Sequence, residues 1–385
     1  MSKFRRIAGL VLCLVVVTMA VAGCRREGPS DVTSPGPPVL VAAGSCHSLA
    51  VSTDGTVWAW GDNTYGQLGD GTTTDRSTPV QVPGMADVVA IASGPEHTIA
   101  LRRDGTVWAW GSNGDGELGD GTTRHRSAPV QAQGLTDVVA IAGGYSHTVA
   151  LRRDGTVWAW GNNHRGQLGD GTTTYRRTPV QVRGVADVVA IAGGGQHTVA
   201  LRRDGTVWAW GATAVEQFVD GTTTDRLTPV QVRGMADVVA IAGGGLHTLA
   251  LRRDGTFWAW GYNCYGQLGD GTTTDRSTPV QARGMADVVA IAGGYLHTLA
   301  LRRDGTVWAW GRNGYGQLGD GTTTDRWTPV QVRGMADMVA IAGGVEYTIT
   351  LRRDGTVWAW GFNGVGQLGD GTTTDRWTPV QVQGL

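Results

Sequence analysis

Trp-Ala-Trp-Gly begins at residues 58, 108, 158, 208, 258, 308 and 358, seven times at an unbroken spacing of 50. A unit that returns at a fixed period of this size is one supersecondary piece, and such pieces fold by stacking on their own copies. Val39 to Leu385 spans 347 residues, three short of seven periods, so seven units fit with almost nothing left over.

The third copy shows what one unit can form. Val139-Ala-Ile-Ala is a short β-rich run closed by Gly143-Gly144, and His147–Leu151 is a second. Asp154-Gly155, inside Arg153–Thr156, carries the signal of a two-residue hairpin in which both central residues take positive φ. Val157–Trp160 is a third run and Pro179–Val182 a fourth, whose proline suits an outer edge strand that need not donate every N–H. No apolar run has a helical period. Four short strands per unit, seven times over, predict an all-β, seven-bladed β-propeller of four-stranded antiparallel blades. Within Trp-Ala-Trp the two indoles stand at i and i+2, on one sheet face, with the alanine on the other. Large side chains on one blade then meet small ones on the next. Trp108, Trp110, Trp158 and Trp160 are read as this inter-blade packing, all fourteen such indoles as core, and Asp154 and Gly155 as hairpin structure.

The unit LRRDGTVWAWGNNHRGQLGDGTTTYRRTPVQV, Leu151 to Val182, resembles the regulator-of-chromosome-condensation repeat, especially its secreted bacterial form. The shared features are Asp-Gly-x-Val-Trp-x-Trp-Gly, then Asn, then Gly-Gln-Leu-Gly-x-Gly, and the resemblance covers residues 39–385. It implies a seven-bladed propeller, in agreement with the count above. The family includes secreted propellers that cap enzymes, a eukaryotic guanine-nucleotide exchange factor and a plant light sensor with exposed tryptophans at a dimer interface. Exchange depends on partner-specific insertions, and every unit here is 50 residues without one.

The first residues read as a separate object. Lys3, Arg5 and Arg6 precede an uncharged apolar run from Ile7 to Val21, short for a membrane span and suited to a secretory signal. Val21-Ala22-Gly23-Cys24 resembles a bacterial lipobox, so residues 1–23 are expected to be a lipoprotein signal peptide and Cys24 the lipidation site. Residues 24–38, rich in Pro and Gly, read as a flexible tether to a propeller at 39–385. Cleavage would remove three of 32 cationic side chains and none of 33 anionic ones, taking the net charge from −1 to −4. That balance argues against a nucleic-acid partner. Cys46 and Cys264 would remain, and nothing in their spacing demands a disulfide.

Little in the repeat looks catalytic. Histidines at 47, 97, 147, 197, 247 and 297, with Tyr347 in the last copy, invite a metal hypothesis. Equivalent residues of adjacent blades stand about 10 Å apart, whereas zinc needs ligands at about 2 Å, so these are read as structural hydrogen-bonding groups. Asp70-Gly71-Thr-Thr-Thr-Asp75 lacks the further acidic ligands of a calcium loop and reads as a turn. The Arg pairs from Arg102-Arg103 to Arg352-Arg353 read as solvated hairpin ends. No nucleophile elbow or phosphate loop occurs, and unlike groups must share a pocket for catalysis. No catalytic residue, metal or cofactor is expected, and the protein is read as a non-enzyme.

The seven copies differ at three places: 45–46, 62–65 and 74–77, with their equivalents. In an up-and-down blade all three gather on one rim. That rim would carry Tyr65, Tyr145, Tyr262, Tyr265 and Tyr295, and also Arg312, Tyr315, Trp327, Phe362 and Trp377. Aromatic residues with arginine are the composition of binding hot spots. Strand one of each blade begins on the opposite rim, so the tether would enter there and the variable rim would face outward. The fourth copy departs from the frame at Ala212–Val219, where Glu216 and Val219 replace glycines. The expected function is a non-catalytic, monomeric cell-envelope lipoprotein, exported and membrane-anchored by lipid, that binds a protein, peptide or glycan through the variable loops. The alternatives are an exchange-factor-like regulator and a polysaccharide-active enzyme using carboxylates such as Asp70 or Asp75.

Overall fold

The computed structural model describes residues 36–212 and 224–385; the apolar leader, Cys24 and residues 213–223 of the fourth copy lie outside them. The described residues form 28 strands in seven four-stranded sheets, each built from one contiguous stretch of chain. In blade 3 the strands are β9 (Val138–Gly143), β10 (His147–Arg152), β11 (Val157–Gly161) and β12 (Arg176–Gln181), paired antiparallel in the order β12-β11-β10-β9. The other blades repeat this plan: blade 1 is 38–81, blade 2 is 88–131, blade 4 is 188–231, blade 5 is 238–281, blade 6 is 288–331 and blade 7 is 338–381. The seven-bladed propeller read from the repeat is the observed fold.

Two local readings change. Strand four runs from Arg176 to Gln181, not from Pro179 to Val182. The hairpin is not the two-residue kind, because only Gly155 has positive φ (81°) and Asp154 does not. Gly155 N–H donates to Arg152 O and Arg152 N–H to Thr156 O, both at 2.9 Å. This is a three-residue loop whose last position must be left-handed, hence the glycine. Asp154 serves differently: its carboxylate accepts Thr156 N–H at 2.9 Å and Thr156 Oγ–H at 2.6 Å.

The alternation of Trp-Ala-Trp does set the packing between blades. Thr148 stands opposite Trp160 and Ala150 opposite Trp158, while Val149 pairs with Ala159 and Leu151 with Val157. The second set, with Ala140, packs against Ala200 and Trp210 of blade 4. Small and aliphatic groups on one face thus receive the indole of the next blade. Only the second tryptophan of each pair, such as Trp110 and Trp160, is fully buried. The first, including Trp108 and Trp158, is half-buried near the hairpin rim. There Arg102, Arg152, Arg202, Arg252 and Arg302 each lie over such an indole, 4.5 to 6.0 Å from the ring centre. The core therefore rests on seven tryptophans rather than fourteen, and the first arginine of each of these pairs is a stacking residue, not a free charge.

The ring closes without a swapped strand. Ala50 and Trp60 of blade 1 join Tyr347, Ile349 and Ala359 of blade 7 in one cluster, as at every other boundary.

Candidate functional site

Three contacts recur between blades. Trp110 Nε1–H donates to Gln67 O at 2.9 Å, Thr98 Oγ–H donates to the same oxygen at 2.8 Å, and His47 Nε2 meets Thr98 Oγ at 3.0 Å. Each histidine of the set makes the equivalent contact with the next blade's threonine, at 2.9 to 3.1 Å. The histidines are buried, and burial pushes His147 down to about 3, so they are neutral hydrogen-bonding groups. The structural reading of the histidines holds, and no cluster of metal-ligating side chains occurs among the described residues.

The Asp70 loop is occupied by its own contacts. Asp70 Oδ1 accepts Thr72 N–H, Thr72 Oγ–H and Asn63 Nδ2–H, at 2.9, 2.7 and 3.2 Å. Its Oδ2 takes Arg76 Nε and Nη2 at 3.1 and 2.9 Å. Burial opposes ionisation of Asp70, but the Thr72 and Arg76 contacts outweigh it and hold its carboxyl below the usual range. Asp75 accepts Asn63 N–H at 2.8 Å. Carboxylates bound in this way are turn structure. Arg76 and its equivalents are arginine in all seven copies, so this position belongs to the frame and not to the variable 74–77 cluster.

The variable rim holds the sequence-derived candidates in a more particular arrangement than scattered exposure. The side chain at position 65 of several blades reaches the next blade. Tyr65 packs on His125 with ring centres 4.9 Å apart, Asp115 Oδ2 accepts Asn162 Nδ2–H at 2.8 Å, and Arg165 pairs with Asp225 at 3.2 Å. Arg312 lies 5.6 Å from the Tyr265 ring centre and pairs with Glu346 at 2.8 Å, while Tyr315 packs on Phe362 at 5.1 Å. Tyr262 touches Tyr265 within blade 5 at 6.5 Å. Much of the variation is thus spent on neighbouring blades meeting each other. Sequence reading missed Glu346 and His125, although both stand at variable positions.

Three candidates stand largely in solvent: Tyr145 at 48%, Trp327 at 53% and Trp377 at 52% exposure. Tyr145 and Tyr295 meet over the propeller axis, ring centres 6.2 Å apart. Below them is a cavity of about 100 Å³ lined by the ends of all seven first strands, mostly glycine backbone. Trp327 and Trp377 are the second residues of the outer strands of adjacent blades, at a position where the other copies have Ser77, Ser127, Arg177, Leu227 and Ser277. Cys46 and Cys264 are free thiols.

Comparison with known proteins agrees with this geometry. A family model for the RCC1-like domain matches residues 83–385. Models of the regulator of chromosome condensation (RCC1) repeat match residues 54–101 and 39–67. The crystal structure of human WBSCR16 is 26% identical, with a TM-score of 0.76, covering 86% of this chain and 93% of that one. Prp20p from Saccharomyces cerevisiae, described by its binding properties to Gsp1p and histones, is 23% identical with a TM-score of 0.77, covering 87% and 88%. A 47-residue stretch is 53% identical to the human E3 ubiquitin-protein ligase HERC2, covering 12% of this chain and 1% of that protein. The chain thus matches only a small fraction of that relative's length.

Proposed function

The chain belongs to the RCC1-like domain family, and from that premise we propose that it is a non-catalytic scaffold binding a protein or peptide on the variable rim of blades 6 and 7. The observation that carries this reading is the pair Trp327 and Trp377, half-exposed at one frame position in adjacent blades. Exposed indoles in neighbouring units, beside the Tyr315–Phe362 pair and the Arg312–Glu346 ion pair, have the make-up of an interface anchor with a polar margin. The bound state of Asp70, Asp75 and the histidines supports a binder over a polysaccharide-active enzyme. The likeness to Prp20p is one of fold, and the uniform 50-residue units offer no insertion for an exchange reaction.

We also propose export and lipid anchoring at Cys24, on the strength of the Val21-Ala22-Gly23-Cys24 motif. The first described residues support the accompanying orientation: Thr53 N–H donates to Pro37 O at 3.1 Å, on the hairpin rim. The variable rim would then face away from the membrane.

The test is capture from envelope extract with the propeller, followed by binary affinity measurement on the recovered protein. Trp327→Ala with Trp377→Ala should weaken that affinity at least tenfold, and Arg153→Ala on the other rim should not. Equal binding by wild type and the double variant overturns the reading, as does a glycan array giving the only tryptophan-dependent ligand.

A further inference from the structure

The axial mouth of the variable rim is a separate part of that surface. Residues equivalent to Ser45 encircle the axis and link blade to blade by backbone hydrogen bonds. Ser45 N–H donates to Pro95 O at 3.0 Å, Tyr145 N–H to Gly195 O at 3.1 Å, and Gly195 N–H to Gly245 O at 3.0 Å. Gly245 N–H then reaches Tyr295 O at 3.2 Å, Tyr295 N–H reaches Gly344 O at 3.1 Å, and Val345 N–H returns to Ser45 O at 3.4 Å. Two carbonyls of the ring accept no backbone donor among the described residues: Val345 O, because Tyr295 N–H goes to Gly344 O, and Tyr145 O, because Pro95 has no N–H and breaks the ring there.

The side chains around that break are acceptors and π-faces. The Tyr295 ring lies over Gly245, where a Cβ would stand 2.1 Å from the ring, so the glycine is what allows the tyrosine to lie there. Tyr145 packs against it. Because the two rings touch, a ligand sits against the wall they make and not between them. Glu96, next to the break, is exposed and has no ion-pair partner among the described residues. Pro95 and Tyr145 both line the mouth, and Glu96 follows Pro95 directly in the chain; partial burial and the neighbouring Asp62 carboxylate both push its acid up. Arg312, on the same rim, is held by Glu346.

We propose that the axial mouth binds the arginine side chain of a partner polypeptide, with its guanidinium against Tyr145, one N–H on the vacant Tyr145 carbonyl and the charge facing Glu96. A planar cation with several donors satisfies an aromatic face, a carbonyl and a carboxylate together. A cavity of about 100 Å³ accepts a head group of that size. This deepens the scaffold reading, to which it adds the chemistry of one anchor.

Calorimetric titration of the propeller with acetyl-Gly-Arg-Gly-amide tests it, beside the lysine and citrulline peptides. The arginine peptide should bind at least about tenfold more tightly than the citrulline one, which keeps the shape and removes the charge. Tyr145→Ala and Glu96→Gln should each weaken it about fivefold or more. Pro95→Ala, which restores the missing N–H and alters no recognition side chain, should weaken it too. Thermal unfolding of each variant shows that the ring is intact. No saturable binding, equal binding of the citrulline peptide, or an unchanged affinity in Tyr145→Ala overturns the proposal, and tighter binding of the lysine peptide overturns its guanidinium form. Trp327→Ala should leave this affinity unchanged, so the axial anchor can fail while the tryptophan surface still binds its partner.

Discussion

His147 Nε2 lies 2.9 Å from the hydroxyl of Thr198 in the next blade. Thr198 Oγ–H is committed to Gln167 O, also at 2.9 Å, so the hydroxyl must accept from the imidazole and the proton sits on Nε2. Nδ1 of His147 has no partner among the described residues. A second proton would put an uncompensated charge in the blade interface.

Acid should therefore open the ring. Burial lowers His47 to about 4 and His97, His147, His247 and His297 to about 3, against an ordinary value of 6.5. Since the folded values lie below the unfolded one, the unfolded chain binds more protons between them. Stability should be complete above pH 6.5 and fall steadily as pH drops toward 3–4, by up to about 1.4 kcal/mol per pH unit for each histidine. Denaturant midpoints measured from pH 8 to 4 check this. His147→Gln should be less stable at pH 8 and show a shallower acid slope.

The two tryptophans of one blade should differ in cost. Trp160 is fully buried and donates to Glu117 O at 2.7 Å, whereas Trp158 is half-buried beneath Arg152, 6.0 Å away. Trp160→Ala should cost roughly 3–5 kcal/mol. Trp158→Ala should cost about half of that or less, since much of its surface already meets water. Guanidinium unfolding of the two variants makes the comparison.

Glu117 offers the opposite pH sign. It occupies a position where the other six copies of the sequence have glutamine, and its Oε2 accepts Asp115 N–H at 2.9 Å. Burial is the main cause that raises it to about 7, with nearby Asp115 adding and backbone amides opposing. A folded value above the unfolded 4.5 costs stability as pH rises from 4.5 to 7. Glu117→Gln should raise the melting temperature at pH 8 and change it little at pH 4.5.

The closing boundary should show coupling. Tyr347 replaces the repeat's histidine, and Ser48 replaces its threonine. Tyr347 Oη–H donates to His47 O, and Ser48 Oγ lies 3.0 Å from Tyr347 Oη and 2.8 Å from Gln367 O. Tyr347→His and Ser48→Thr should each destabilise, and the double variant should recover part of the loss, with a coupling of about 0.5–3 kcal/mol in a double-mutant cycle.

Much of this fold was legible because one frame is written seven times. The period counted the blades, and the i, i+2 indoles with alanine between them set which face meets which. The hairpin was placed but mistyped, since Asp154 turned out to serve Thr156 and only Gly155 took positive φ. The candidate surface was legible as a rim and not as a set of contacts. Nothing in the order of residues says that Asp115 will meet Asn162, or Arg165 Asp225, because those pairs depend on which loops the ring sets side by side.

By itself the sequence determined the repeat, the strand count and the alternation, all properties of a local frame with a period of two inside a period of 50. Only the tertiary structure decided which tryptophan of each pair is buried, which variable side chains are spent on neighbouring blades, and that Pro95 leaves the Tyr145 carbonyl vacant at the axis. Burial and hydrogen-bond satisfaction at those positions are set by residues about 50 places away, brought alongside when seven sheets close into a ring.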